Sequence, residues 1–257
     1  MLNIDKISKT FAKGTINEKV ALDNLSLHMK KGEFITIIGS NGAGKSTLMN
    51  CICGAIGIDS GTITLDGINL TKLPEYKRSR YIGRVFQDPL KGTAFDMTIE
   101  ENLAIASSKN KSLGLQRGLN KENMAYFREQ LALLDMGLED RMKQKAKSLS
   151  GGQRQALTLF MAVISKPKLL LLDEHIAALD PGAAKKVLTL TDEYANSQDM
   201  CTLMITHNMK HALEHGNRTI LMKDGKIALD ISGEERENMT IEKLINQFEI
   251  DNDRMLL

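Results

Sequence analysis

The sequence predicts an α/β fold: a mostly parallel sheet covered by helices, with an N-terminal antiparallel β subdomain and a helical subdomain insert. Three observations carry this. Short apolar runs punctuated by Gly and Asp fill the first ninety or so residues, and a block from about 88 to 167 has apolar residues three and four apart. Apolar strand-like runs then return, alternating with a helical segment, and that alternation is how parallel strands are connected. The whole chain of 257 residues reads as one domain, with 1–87 and 168–257 forming the β subdomain and core, and about 88–167 forming the helical subdomain.

Each element follows from its own residues. LNIDKIS, ALDNLSLHM, EFITIIG, TITLDG and YIGRVF read as the early strands. NLAIA, MAYFREQLALLDMG and QALTLFMAVIS lack β-branched runs and keep helical spacing. KLLLLD, CTLMIT, RTILM and KIALDIS return to strand texture, and Pro181, just after Asp180, opens a helix through Tyr194. SSKNKSLGLQRGLN (107–120) is the expected mobile loop; no repeat or low-complexity segment occurs.

Composition narrows the function. At 42% hydrophobic and 26% charged residues the chain has ordinary core-forming material, which excludes bulk disorder. A net charge of +2 gives no broad basic field, so no nucleic-acid partner is expected. Mean hydropathy is −0.21, no run approaches the ~20 apolar residues that cross a bilayer, and MLNIDKISKT lacks an apolar signal core, so the chain is expected to be cytoplasmic. Of three cysteines, Cys51 and Cys53 lie two apart on an expected helix and do not face one another; they read as reduced core thiols, not as a zinc or disulfide framework. The fourteen methionines read as pliant packing.

The strongest signal is the loop Gly39, Ser40, Asn41, Gly42, Ala43, Gly44, Lys45, Ser46, with Thr47 following, set between the strand FITII and the helix KSTLMNCICGA. Its glycines let backbone N–H groups turn toward phosphate oxygens, Lys45 supplies charge to β and γ phosphates, and the Ser46 hydroxyl suits Mg²⁺. The helix N-terminus adds partial positive charge. Farther on, KLLLLD ends in Asp173 and Glu174, adjacent acids that face opposite ways on a strand. Asp173 then suits Mg²⁺ and Glu174 suits polarising the water that attacks the γ phosphate. Together these residues define a P-loop NTPase core that binds ATP or GTP.

Leu149-Ser150-Gly151-Gly152-Gln153, followed by Arg154-Gln155, resembles the signature of ABC ATPases. Gln87 in VFQDP, Ala178-Leu179-Asp180-Pro181 and His207 in MITHN match further family positions in order, so the resemblance covers essentially the whole chain and argues against a kinase or GTPase. It implies ATP and Mg²⁺ as cofactors and a head-to-tail dimer in which each ATP lies between one subunit's phosphate loop and the other's signature. In that arrangement Ser150 and the backbone N–H groups of Gly151 and Gly152 meet a γ phosphate across the interface, Gln153 belongs to the nucleotide-binding set, and Ser150 also suits capping its helix. Asp180 joins the nucleotide-binding set. The family's glutamine at Gln87 reaches metal and attacking water and links the nucleotide to subdomain rotation. His207 ends the strand CTLMIT, from where its imidazole suits bonding the γ phosphate and holding Glu174. Phe11 matches the aromatic that stacks on adenine.

Two features stand apart. His207, His211 and His215 recur every four residues, but no acid completes a metal set and His207 precedes the helix. Ile176, after His175, departs from the small polar residue that many family members carry near there. The resemblance further implies an ATPase subunit, dimeric, at the cytoplasmic face of the membrane, driving separate transmembrane permease subunits, with VFQDPLKGTAFDMTIEENL as the candidate docking surface. LLLLDEHIAALDP and SLSGGQRQALTL look similar to bacterial importers encoded beside a permease and an extracytoplasmic binding protein, with aromatic amino acids as one cargo. The alternatives are a soluble ABC ATPase acting on DNA or ribosomes, which fits poorly without a long coiled coil or a second fused domain, and an exporter or lipoprotein-extraction ATPase.

Overall fold

A computed structural model describes residues 1–109, 119–197 and 200–253, so most of the expected loop at 107–120 lies outside the described residues. In chain order the elements are β1 (Leu2–Phe11), β2 (Lys19–Met29), β3 (Phe34–Gly39), α1 (Lys45–Cys53), β4 (Ser60–Leu65), β5 (Ile68–Asn69) and α2 (Glu75–Arg78). Then come β6 (Ile82–Val85), α3 (Ile99–Ser107), α4 (Lys121–Leu133), α5 (Gly151–Val163), β7 (Leu169–Asp173) and α6 (Pro181–Ser197). The last are β8 (Cys201–Ile205), α7 (Met209–Glu214), β9 (Arg218–Lys223), β10 (Lys226–Ser232), α8 (Gly233–Glu237) and α9 (Ile241–Asp253). They gather into two compact units, one of residues 1–78 and 201–257, the other of 79–200.

The first unit holds two sheets. One is antiparallel throughout, in the order β2-β1-β4-β5. In the other, β3 pairs in parallel with both β8 and β9, and β10 returns antiparallel on β9. All six residues of β3 are buried, as a strand covered on both faces requires. Ile38 packs with Ala212, Leu221 and Leu244, so α7 and α9 close one face of β3. The Thr36 hydroxyl donates to the Ala212 carbonyl at 2.8 Å and the Arg236 guanidinium donates to the carbonyls of Leu213 and His215, whereas the buried Thr202 hydroxyl on β8 finds no partner among the described residues. Arg78, buried, donates to the carbonyls of Cys51 and Ile52 at 2.7 and 2.9 Å, satisfying acceptors that the end of α1 leaves open. Cys51, Cys53 and Cys201 are free and buried, and burial pushes the Cys51 thiol up to about 11, which leaves it a protonated packing group.

In the second unit β6 and β7 pair in parallel, from Ile82 opposite Leu169 to Val85 opposite Leu172. Helix α5 is buried along Ala156–Phe160 and packs on β6, α3 and α6. Gly152 allows the approach to α6, since a Cβ there would lie 2.6 Å from the Ala183 Cβ. Capping boxes open both α3, through Thr98 and Glu101, and α5, through Ser150 and Gln153.

Three features differ from the sequence reading. The short elements β5 and α2 interrupt the stretch read as strands and turns, α8 and α9 follow KIALDIS, and β8 stops at Ile205, so His207 sits two residues beyond the strand.

Candidate active site

In the first unit the chain leaves β3 at Gly39 and enters α1 at Lys45. Gly44 takes the left-handed conformation at φ +100°, and a Cβ there would lie 2.4 Å from the Ala21 carbonyl oxygen, so the turn needs glycine. Helix α1 has no side-chain cap, so its first N–H groups face the loop, unlike those of α3 and α5. Lys45 is 6% exposed and curls back over the loop, its ammonium donating to the carbonyls of Gly39 at 2.7 Å and Ser40 at 3.0 Å. Ala43 is buried, Ser40, Asn41, Gly42 and Ser46 are exposed, and Thr47 is half-buried. Helix dipole, free N–H groups and a lysine at one turn form an anion-binding cradle.

Because β3 and β8 are parallel neighbours, the chain leaves both on the same edge of the sheet, which brings the loop and the exposed His207 to that edge. Asn208 caps α7 behind it, accepting from the N–H groups of Lys210 and His211. Phe11 ends β1 with its ring 37% exposed; Lys19 is its cross-strand partner, and the Lys9 ammonium lies 5.8 Å from the ring centre.

In the second unit the parallel pair β6 and β7 carries the acids and the glutamine to one edge. Gln87 donates through Nε2 to Glu174 Oε2 at 3.2 Å. Glu174 has φ +47°, unusual for a residue with a Cβ, and the turn separates its carboxylate from that of Asp173. Asp173 accepts from Arg84 Nη2 at 3.3 Å, and the Arg84 guanidinium also stacks 4.5 Å from the Phe86 ring centre. Ser150 and Gln153 satisfy one another, at 3.2 and 3.3 Å, at the mouth of α5, with Gly151 exposed and Gly152 packed on Ala183. Asp180 accepts from the Ala183 N–H at 3.0 Å and so caps α6.

The structure thus joins Gln87 to Glu174, Lys45 to the loop start, and Phe11 to a pair of lysines. The polar contacts of Ser150 stay within its own helix. Sequence reasoning missed Arg84, whose one signal is a cation in the apolar run YIGRVF, and the fully buried Gln155, which donates to the Phe86 carbonyl at 3.3 Å and ties α5 to the segment leading to Gln87. It also missed a role for His175, which is buried against the Thr191 hydroxyl at 3.1 Å and anchors the turn after Glu174 on α6. Among the described residues no cluster of three His, Cys, Asp or Glu has metal-binding geometry, and no helix is long and apolar enough to cross a membrane.

A parallel strand that turns through a glycine-rich loop into an uncapped helix, with a lysine folded over the turn, defines the P-loop NTPase class. The ABC transporter family profile matches residues 22–177, more than half of the chain. The tyrosine transport ATP-binding protein of Clostridioides difficile is 45% identical over 251 residues, covering 97% of this chain and 99% of that protein. The phosphonates import ATP-binding protein PhnC of Treponema denticola is 34% identical, covering 90% and 89%. Among solved structures, a dimeric post-hydrolysis ATP-binding cassette bound to ADP and Pi aligns with TM-score 0.75 at 27% identity over 90% of this chain and 98% of that one. The chain belongs to the ABC transporter family and is its ATP-binding, ATP-hydrolysing subunit.

Proposed function

We propose that the whole chain acts as one ABC ATPase domain that powers import of a small solute, an aromatic amino acid of the tyrosine type, through separate permease subunits served by an extracytoplasmic binding protein. The observation that carries ATP turnover is the phosphate loop with its uncapped helix and folded Lys45. Import and cargo rest on the names of the relatives, with the 45% identical tyrosine transport protein foremost. The chain then sits on the cytoplasmic face of the membrane, docked through residues 85–103.

Within the site, Lys45 and the N–H groups of residues 39–47 hold the phosphates, and Phe11 stacks on adenine. Ser46, Gln87 and Asp173 offer hydroxyl, amide and carboxylate oxygens, a hard donor set that suits Mg²⁺, which when bound neutralises phosphate charge. Glu174, held by Gln87, takes the proton of the attacking water. His207 bonds the γ phosphate. Ser150, Gly151, Gly152 and Gln153, with Asp180, complete the site on a second copy.

The test has two parts. Lys45→Ala should abolish ATP hydrolysis by the isolated subunit; near-normal turnover would refute the phosphate-loop assignment. Proteoliposomes holding this chain, its genomically neighbouring permease and the binding protein should take up tyrosine only with ATP inside, and uptake of an unrelated solute in its place would refute the cargo.

A further inference from the structure

A second cation, besides Lys45, lies at the phosphate loop. Lys19 opens β2 as an exposed residue, and its Nζ lies 3.3 Å from the point that a Cβ on Gly42 would occupy, so the ammonium rests directly on the middle of the loop. Lys45 covers a different stretch, the carbonyls of Gly39 and Ser40. Among the described residues the Lys19 ammonium makes no ion pair or hydrogen bond, and its backbone is taken up by the β1–β2 ladder. Its sequence neighbour Glu18 turns its carboxylate to the Gly14 N–H at 2.6 Å. A lysine parked on a loop of phosphate-binding geometry with no protein acceptor is placed for an anion held by that loop.

We propose that Lys19 is a nucleotide-binding residue whose ammonium contacts the α and β phosphates of bound ATP or ADP. This rests on the nucleotide reading of the loop. The choice of phosphates follows from register: Lys19 lies directly across from Phe11 on the antiparallel pair β1 and β2, so aromatic and cation leave the same strand end side by side. A base stacked on Phe11 brings its α and β phosphates past Lys19 before its γ phosphate. The pair divides the nucleotide, the ring taking the base and the amine taking the inner phosphates, while Lys45 serves the outer ones.

The test is equilibrium binding of ADP and of ATP to the full chain without magnesium, so that nothing turns over. Lys19→Met should weaken both nucleotides alike, by about 10-fold, the size of one hydrogen bond to a charged group. Lys19→Arg should stay within about 3-fold, and the weakening of binding by added salt should be shallower in Lys19→Met than in the parent, since an exposed charge pair has been removed. Both variants should keep the parent's melting temperature because the residue is exposed. Binding of both nucleotides by Lys19→Met within 2-fold of the parent overturns the proposal, and so does a loss confined to ATP, which would put the amine at the γ phosphate. A parent protein that binds neither nucleotide overturns the loop reading as well, which separates the two failures.

Discussion

Replacing Glu174 with Gln isolates the chemical step, because the local geometry has reasons to survive the change. Gln87 Nε2 donates to Glu174 Oε2 at 3.2 Å, and an amide oxygen at the same place accepts that bond. The backbone at φ +47° holds Gln as readily as Glu, since the two side chains have the same shape. In the proposed role of Glu174, what is lost is the basicity that would draw a proton from water. A positioned general base contributes about 10²- to 10⁴-fold, equivalent to roughly 3–5 kcal/mol of barrier. Stability should move by no more than about 0.5 kcal/mol, a melting shift of about 1–2 °C for a chain of this size. The assay is phosphate release at saturating ATP and magnesium, alongside equilibrium ATP binding. The expected result is turnover reduced at least about 100-fold with ATP affinity within about 3-fold of the parent. Turnover within about 3-fold of the parent would remove Glu174 from the role of base.

Two further outcomes follow from packing and from charge. Gly152→Val places a Cβ 2.6 Å from the Ala183 Cβ, with both atoms fixed to helix backbone, so α5 and α6 must part. Overpacking of this kind costs about 1–3 kcal/mol, and thermal unfolding should shift down by about 2–12 °C; a shift under about 1 °C would show that the helices do not approach this closely. For His211, burial and then the neighbouring His215 lower the imidazole's proton affinity in the folded state, so the unfolded chain binds protons more readily. Stability should therefore be full above the ordinary value of 6.5 and fall as pH drops below it, and His211→Gln should flatten that fall in melting scans between about pH 7 and 5; an unchanged slope would refute it.

Local signals carried much of the reading. The apolar runs that became β3, β7, β8 and β9 are nearly all buried, and buried parallel strands need no partner-specific code to be recognised. The Ser-x-x-Gln spacing at Ser150 and Gln153 forms its capping box as such spacing should. Helices α8 and α9 escaped because GEERE buries no residue and, among the described residues of α9, Leu244 alone is buried while Ile241 and Ile245 stay exposed, which leaves no apolar stripe to read. Arg78, Arg84 and Gln155 escaped for another reason. Each serves acceptors made by tertiary contact: the end of α1, a carboxylate on the neighbouring strand, and a carbonyl that lies 69 positions away in sequence. A sequence shows the type of such a residue and hides its partner.

If two copies share each ATP, the solution mass of Glu174→Gln must depend on nucleotide. With ATP and no magnesium, light scattering should show the 28.5 kDa chain passing to twice its mass, and adding Lys45→Ala or Ser150→Arg to the same chain should each return it to the monomer. A doubled mass that persists undiminished with Ser150→Arg, or a chain that stays monomeric while saturated with ATP, would contradict a site built from one copy's phosphate loop and the other's Ser150.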